Sequence, residues 1–134
     1  MKKCLFTGVA TALATPFNEN GVNIEEFKKV IQFQISSGVN VLVVCGTTGE
    51  SSTMTKEEKI TAIKCAVEIA GNTTLVTKVP VIVGTGSNNT TTAIEMSVLA
   101  EELGADGLLV VTPYYNKTTQ ARPNKTFYSD GTLC

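Results

Sequence analysis

Short apolar runs alternate with helical patterns along this 134-residue chain, and this alternation constrains its fold more than any other feature. The run Val41–Val44 is followed closely by Gly46, a pattern typical of a short strand buried on both faces. Similar runs at Gly8–Ala14, Val81–Gly84 and Gly107–Val111 complete the set of predicted strands. Strands that alternate with helices usually form right-handed βαβ units on a parallel sheet, so the pattern predicts the α/β class.

Three helical patterns separate the predicted strands. The first begins at Asn23, a favourable N-cap residue, and repeats apolar residues at the spacing of one helix face. Those residues are Ile24, Phe27, Val30, Ile31 and Ile35. In the second helix, Thr55 and Glu58 have the spacing of a capping box, in which each side chain accepts from the other residue's backbone amide. The third is expected over about Thr90–Leu103, with an inward face formed by Ile94, Val98, Leu99 and Leu103.

Polar turns follow the last three predicted strands. They read GTTGES at Gly46–Ser51, GTGSNN at Gly84–Asn89 and TPYYN at Thr112–Asn116. Because the carboxyl ends of parallel strands lie at one edge of a sheet, side chains from these turns should converge there. Thr47 and Thr48 stand between two glycines, so a ligand can approach closely and find both donors and acceptors. The sequence therefore predicts a small-molecule site at this edge.

The composition argues against several function classes. The 11 basic and 12 acidic residues form no basic cluster, which gives no support for nucleic-acid binding. No apolar run approaches the roughly 20 residues that a membrane span requires. The chain contains no histidine, which disfavours histidine-ligated metals and leaves lysine, tyrosine, hydroxyl or carboxylate groups for catalysis.

The N-terminal residues superficially resemble a secretory signal, with two lysines ahead of an apolar stretch. Because Thr7, Gly8 and Thr11 interrupt that stretch, we interpret it as the first strand and expect a cytoplasmic protein. The cysteines agree, since they are widely spaced and include no C-x-x-C pair. Cys45 and Cys65 lie within apolar patterns, where a free thiol behaves as a small hydrophobic group.

Four segments together resemble the 4-hydroxy-tetrahydrodipicolinate synthase (dihydrodipicolinate synthase) family of the pyruvate-dependent class I aldolases. They are TPF at Thr15–Phe17 and the turns GTTGES, GTGSNN and TPYYN, in that order, within about Phe6–Gln120. The resemblance implies the N-terminal half of a TIM (β/α)₈ barrel, with four parallel strands and three intervening helices. It also implies a lyase of lysine and diaminopimelate biosynthesis, which condenses pyruvate with aspartate semialdehyde through a lysine Schiff base and needs no cofactor or metal.

The resemblance also implies roles for individual residues. Thr47 matches the threonine of a tyrosine–threonine–tyrosine proton relay, and Thr48 matches the residue that binds the pyruvate carboxylate. Tyr115 matches the relay tyrosine that reaches into a neighbouring subunit of the family's homotetramer. Four further residues match the region of a regulatory lysine site: Ser51, Ser52, Asn88 and Tyr114. Thr92 stands where lysine-sensitive members often have a carboxylate that pairs with the lysine ammonium group, which disfavours lysine feedback here.

The C-terminal part of the chain departs from the family. A (β/α)₈ barrel takes roughly 250 residues, and the pattern here stops after four strands. The family's Schiff-base lysine lies in the second half of its barrel, and Lys78, Lys117 and Lys125 do not match its sequence context. We therefore expect this chain to be inactive alone. Because four strands cannot close a barrel, two outcomes stay open: an aggregation-prone fragment, or self-association of chains through the open sheet edges.

The last residues divide the chain into a family-like segment, 1–120, and a tail, 121–134, without helical periodicity. Codons for Ala121–Phe127 read one nucleotide later can encode a string similar to the family's next helix, so our hypothesis for the tail is a frameshift. Two alternatives to the synthase stay open at this point. One is an N-acetylneuraminate lyase-like or other pyruvate aldolase fragment, and the other is a self-contained flavodoxin-like module that binds a small molecule.

Overall fold

The computed structural model describes residues 4–72 and 78–115 of the chain. In these two ranges the elements alternate as the sequence predicts. In chain order they are β1 (Ala10–Ala12), β2 (Phe17–Asn18), β3 (Gly21–Val22), α1 (Ile24–Ser36), β4 (Val41–Val44), a 3₁₀ turn (Thr47–Gly49), α2 (Lys56–Gly71), β5 (Val81–Gly84), α3 (Thr90–Glu102) and β6 (Gly107–Leu109). The predicted tail at residues 121–134 lies outside the described residues, and its frameshift origin stays a prediction.

A four-stranded parallel sheet forms the centre of the described chain, in the order β1-β4-β5-β6. Thr11 lies opposite Leu42, Leu42 opposite Val81, and Val83 opposite Leu108. One helix follows each of the first three strands of this sheet before the chain returns to it. The prediction of four parallel strands with three intervening helices is confirmed.

The hydrophobic core lies where the helices pack on the sheet. All four residues of β4 are buried, which confirms the prediction of a strand covered on both faces. The predicted inward face of α1 is also confirmed, since Phe27, Ile31 and Ile35 are buried, while Ile24 and Val30 pack partly buried against the same core. Cys45 and Cys65 are buried free thiols, as their apolar surroundings indicate.

Side chains define where the first two helices begin. The Asn23 side chain accepts a hydrogen bond from the Glu26 backbone amide at the start of α1. At α2 the capping box is complete, because the Thr55 amide donates to Glu58 Oε2 at 2.8 Å and the Glu58 amide donates to Thr55 Oγ1 at 3.2 Å. These bonds satisfy amides that the first helical turn leaves unpaired, so α2 begins at a fixed position after the turn that follows β4.

The inward face of α3 differs from the prediction. Val98, expected to point inward, is 45% exposed, and the buried residues of this helix are Ala93, Met96, Ser97 and Ala100. Small side chains let the helix approach the sheet closely, and the Ser97 hydroxyl is satisfied within the core. It lies 2.7 Å from the Ala93 carbonyl oxygen and 3.0 Å from Thr85 Oγ1. Hydropathy alone favoured the larger side chains, and the prediction for Val98 was wrong.

The strand bounds also differ at three places. β1 and β6 are shorter than predicted, with three residues each. The segment Phe17–Val22, expected as a loop, contains a short antiparallel pair in which Phe17 lies opposite Val22. No helix within residues 4–72 and 78–115 combines the length and apolar character that a membrane crossing would need.

Candidate functional site

The turn after β4 presents two hydroxyl side chains at the carboxyl edge of the sheet. We call Gly46–Glu50 the hydroxyl turn. Its backbone closes on itself, because the Gly49 amide donates to the Gly46 carbonyl at 3.1 Å and the Glu50 amide donates to the Thr47 carbonyl at 3.0 Å. Thr47 and Thr48 are exposed, whereas Gly49 is buried. The turn therefore exposes both threonines to solvent, while its backbone is held by these two hydrogen bonds and by the buried Gly49.

Cys45 and Glu50 delimit the hydroxyl turn with unusual backbone geometry. Each has a φ of +57°, in the left-handed region of backbone conformation that residues other than glycine rarely adopt. Cys45 holds this conformation while almost fully buried at the end of β4. A non-glycine residue keeps this strained conformation only when the surrounding structure holds it there. The packing around β4 therefore sets the direction in which the hydroxyl turn leaves the strand.

The turns after β4, β5 and β6 lie side by side. The position of a Cβ on Gly84 would be 2.2 Å from the Cys45 carbonyl oxygen, so the end of β5 closely approaches the start of the hydroxyl turn. The Thr85 amide donates to the Leu109 carbonyl at 3.2 Å. A Cβ on Gly86 would be 2.5 Å from the Val111 amide nitrogen. The predicted convergence of the three polar turns on one sheet edge is thus seen in the backbone.

Tyr115 follows β6 in the chain, but its side chain does not pack against this edge of the sheet. Its side chain is fully exposed, at 101%, and its ring meets that of Tyr114 edge-on with centroids 6.1 Å apart. Its φ of +60° is again left-handed. Full exposure means that the Tyr115 ring makes no packing contact with the hydroxyl turn in this chain. The role that the family resemblance gives to Tyr115 therefore stays a prediction.

The residues matched to the regulatory region are spread over three surface segments. Ser51 and Ser52 follow the hydroxyl turn, and Ser52 is exposed. Asn88 is exposed in the turn before α3, and Thr92 lies in the first turn of α3, where its amide donates to Asn89 Oδ1 at 3.3 Å. Tyr114 is partly exposed after β6. They follow β4, β5 and β6 respectively, and their regulatory role stays a prediction.

Thr15 is a polar residue at this edge that the sequence singled out only within the TPF motif. Its side chain is 6% exposed, and its Oγ1 atom has no hydrogen-bond partner among the described residues. A Cβ on Gly49 would be 3.0 Å from Thr15 Oγ1 and from the Leu13 carbonyl oxygen. The buried hydroxyl therefore lies close to the hydroxyl turn, with little room between them.

The opposite edge of the sheet carries the other prominent polar contact. Lys78 Nζ pairs with Asp106 Oδ1 at 2.7 Å, and Asp106 Oδ2 accepts from the Val81 amide at 2.9 Å. This cluster joins the starts of β5 and β6, the edge of a parallel barrel sheet at which polar contacts usually serve stability rather than ligand binding. Within the described ranges, no group of three or more His, Cys, Asp or Glu side chains could hold a metal ion.

Burial raises the pKa of the Cys45 thiol from its ordinary value near 9 to about 11, against a smaller opposing influence of the Lys59 charge. Since the thiolate is the nucleophile, we expect Cys45 to resist iodoacetamide at pH 8 in the folded chain and to react in urea. Peptide mass spectrometry measures this, with the exposed Cys4 as the reactive internal control. Equal labelling of Cys4 and Cys45 in the folded chain would contradict the burial described here.

The same pKa shift has a consequence for stability. The unfolded Cys45 thiol ionises near pH 9 and the folded one only near pH 11, so the folded state binds the proton more tightly. Tighter proton binding by the folded state stabilises it, and this stabilisation is fully present below pH 9. Between pH 9 and 11 the unfolded thiol loses its proton first, so the free energy of unfolding falls over that range.

Comparisons with known proteins agree with this geometry. The model of the dihydrodipicolinate synthetase family matches residues 5–129. The 4-hydroxy-tetrahydrodipicolinate synthase of Acetivibrio thermocellus is 53% identical over 120 residues, covering 90% of this chain and 39% of that protein. The dihydrodipicolinate synthase structure from Thermotoga maritima superposes with a TM-score of 0.87 at 40% identity, covering 95% of this chain and 41% of that one. The Acinetobacter baumannii enzyme, solved with pyruvate, gives a TM-score of 0.84 at 38% identity, covering 92% and 41%.

These matches share one pattern of coverage. The chain spans only 39% and 37% of the length of two curated relatives, although it aligns over 90% and 87% of its own length. Its four-stranded parallel sheet with three helices matches the N-terminal part of the TIM barrel in the synthase structures. The chain belongs to the dihydrodipicolinate synthetase family.

Proposed function

We propose that this chain supplies the pyruvate-carboxylate side of the active site of a 4-hydroxy-tetrahydrodipicolinate synthase. The observation that carries the proposal is the hydroxyl turn, which exposes Thr47 and Thr48 at the carboxyl edge of the sheet. In α/β barrels this edge is where substrates bind. The pyruvate complex of the Acinetobacter baumannii relative supports a 2-oxo acid as the ligand.

The two hydroxyls suit different parts of the reaction. A carboxylate accepts hydrogen bonds only, so the Thr48 hydroxyl and the amides of the turn are appropriate donors. A hydroxyl that donates and accepts at once can pass a proton along a chain of groups, which is the role proposed for Thr47. Tyr115 completes the relay from a neighbouring copy, and its full exposure leaves its ring available for that contact.

The Schiff-base chemistry itself needs a lysine that this chain does not supply in the family's context. In that step the lysine amine attacks the C2 carbonyl of pyruvate, and loss of water leaves an imine. Because Lys78, Lys117 and Lys125 do not match the family's lysine, we expect no lasting adduct on the 134-residue chain. Pyruvate with borohydride, followed by mass spectrometry, checks this. A reduced adduct on any lysine would contradict the proposed division of roles.

Ligand binding is tested by titrating the ¹⁵N-labelled chain with pyruvate. We expect the amide signals of Thr47, Thr48 and Gly49 to shift, while those of Lys78 and Asp106 at the opposite edge stay in place. Pyruvamide, which lacks the carboxylate, is the matched control ligand, and T48V is the matched variant. Equal shifts with pyruvamide, or shifts confined to the opposite edge, would rule the proposed site out.

The proposed partner of the chain is another copy of itself. In the described sheet, β1 pairs only with β4 and β6 only with β5, so each leaves one strand edge unpaired. Exposed apolar side chains lie next to both edges, at Val9 and Leu109. Unpaired edges of this kind favour strand addition between chains. We expect the average mass in sedimentation to rise with concentration, and a strict monomer at all concentrations would contradict the proposal.

The same proposal includes the location, the assembly and the regulation of the full-length enzyme. The family resemblance supports a cytoplasmic enzyme of lysine biosynthesis, assembled as a homotetramer in its full form. Thr92 offers no negative charge to the ammonium group of lysine, so we propose weak lysine feedback for that form. The N-acetylneuraminate lyase-like and flavodoxin-like alternatives stay predictions.

A further inference from the structure

Thr15 combines deep burial with an unsatisfied hydroxyl. Its side chain is 94% buried, as its 6% exposure shows, and Oγ1 has no hydrogen-bond partner among residues 4–72 and 78–115. A buried hydroxyl without a partner opposes folding, whereas a valine of nearly the same shape would remove that penalty. The position therefore carries a buried oxygen that makes no hydrogen bond to any described residue.

The closeness of Gly49 explains why a small oxygen suits this position. A Cβ on Gly49 would be 3.0 Å from both Thr15 Oγ1 and the Leu13 carbonyl oxygen, so little room is left between Gly49 and these two atoms. A methyl group is larger than a hydroxyl oxygen. In place of Oγ1 it would narrow the space beside Gly49 further, and we expect the hydroxyl turn to shift outward in response.

The segment that carries Thr15 is fixed on both sides. Before it, the Leu13 amide donates to the Val43 carbonyl at 2.9 Å and so ties the segment to β4. After it, the Pro16 carbonyl accepts from the amide of Asn23, the N-cap residue of α1, at 2.8 Å. Because these bonds hold the backbone on both sides of Thr15, we expect a change in the size of its side chain to be felt by its neighbours, including Gly49.

We propose that Thr15 is a positioning residue: its buried hydroxyl lies beside Gly49, and its small size helps to fix the position of Thr47 and Thr48 at the sheet edge. The inference rests on the proposed function only for the identity of the ligand, the carboxylate of a 2-oxo acid. Thr15 acts through Gly49 and does not itself touch the ligand, since its Oγ1 is buried.

The test compares two variants of the full 134-residue chain, T15V and T15S. T15V keeps the branched shape but replaces the oxygen, so pyruvate should bind about tenfold more weakly, the effect of roughly one misaligned hydrogen bond to its carboxylate. T15S keeps the hydroxyl and loses a buried methyl group, so it should lower the unfolding temperature yet bind as the native chain does. If Thr15 had only a structural role, the affinities of the two variants would instead follow their measured unfolding temperatures, and T15S would lose affinity as its stability falls.

Two results would overturn the inference: native affinity in T15V, or affinity in T15S as weak as in T15V. If the native chain binds no pyruvate, the proposed function fails, and the ligand-free amide spectra decide the inference instead. Shifted Thr47–Gly49 signals in T15V and native signals in T15S then support it. Native signals in both variants, or equal displacement in both, overturn it.

Discussion

Phe27→Ala should destabilise this chain more than any other single truncation that we consider. The Phe27 side chain is completely buried in α1, and it is the largest of the fully buried side chains. Removing a buried phenylalanine ring costs about 3–5 kcal/mol, because transfer energy is lost and a cavity remains. A domain of this size has about 5–15 kcal/mol of total stability, so the variant should be largely unfolded in mild urea. Circular dichroism at 222 nm during urea unfolding measures the change.

The same helix offers a matched control. Phe33 is also in α1, but its side chain is 66% exposed. Phe33→Ala should therefore change the free energy of unfolding by less than about 0.5 kcal/mol. Equal losses in the two variants would mean that α1 does not pack on the sheet through the face described here.

Gly84→Ala should have the second-largest effect, although it adds only one methyl group. That methyl would lie 2.2 Å from the Cys45 carbonyl oxygen and 2.8 Å from the carbonyl carbon, both backbone atoms that cannot rotate away. β4 and β5 would have to separate at their carboxyl ends, so we expect a loss of about 3 kcal/mol, at the upper end for overpacking. Urea unfolding measures the loss. Because Cys45 precedes the hydroxyl turn, amide shifts of Thr47 and Thr48 should accompany it.

Gly71→Ala is the control for this substitution. A Cβ on Gly71 would meet nothing within 4 Å, and the residue is the last of α2. Alanine has the higher helix propensity, so the variant should be as stable as the native chain or more stable by up to about 1 kcal/mol. A neutral Gly84→Ala variant would show that the close approach of β4 and β5 is not present in solution.

The sequence predicts the central strands well and the outer ones less well. Val41–Val44 and Val81–Gly84 have the predicted bounds, because apolar runs that end at glycines are buried between two neighbours. β1 and β6 lie at the edges of the described sheet, and a run that pairs on one side only ends sooner than its apolar pattern does. The β2–β3 pair has two residues in each strand, too few for any periodicity to show.

At the candidate site, too, the sequence predicts some residues and misses others. Thr47 and Thr48 could be predicted because a polar pair directly after a buried strand lies at a known edge of the sheet. The closeness of Thr15 to Gly49 could not, since the residues are 34 positions apart and their approach depends on how β1 and β4 pair. The face of α3 was missed for a related reason. Small residues such as Ala93 and Ser97 pack closely on the sheet, and hydropathy does not rank them as core residues.

The condensation activity of a chimera tests the central claim most directly. Residues 1–115 of this chain would replace the aligned N-terminal part of the Acetivibrio thermocellus synthase, which is 53% identical over the matched region. We predict a folded enzyme that condenses pyruvate with aspartate semialdehyde, and T48V in this chimera should raise the KM for pyruvate. A chimera that folds and assembles like the parent synthase but has no activity would contradict the claim that the hydroxyl turn forms part of a working pyruvate site.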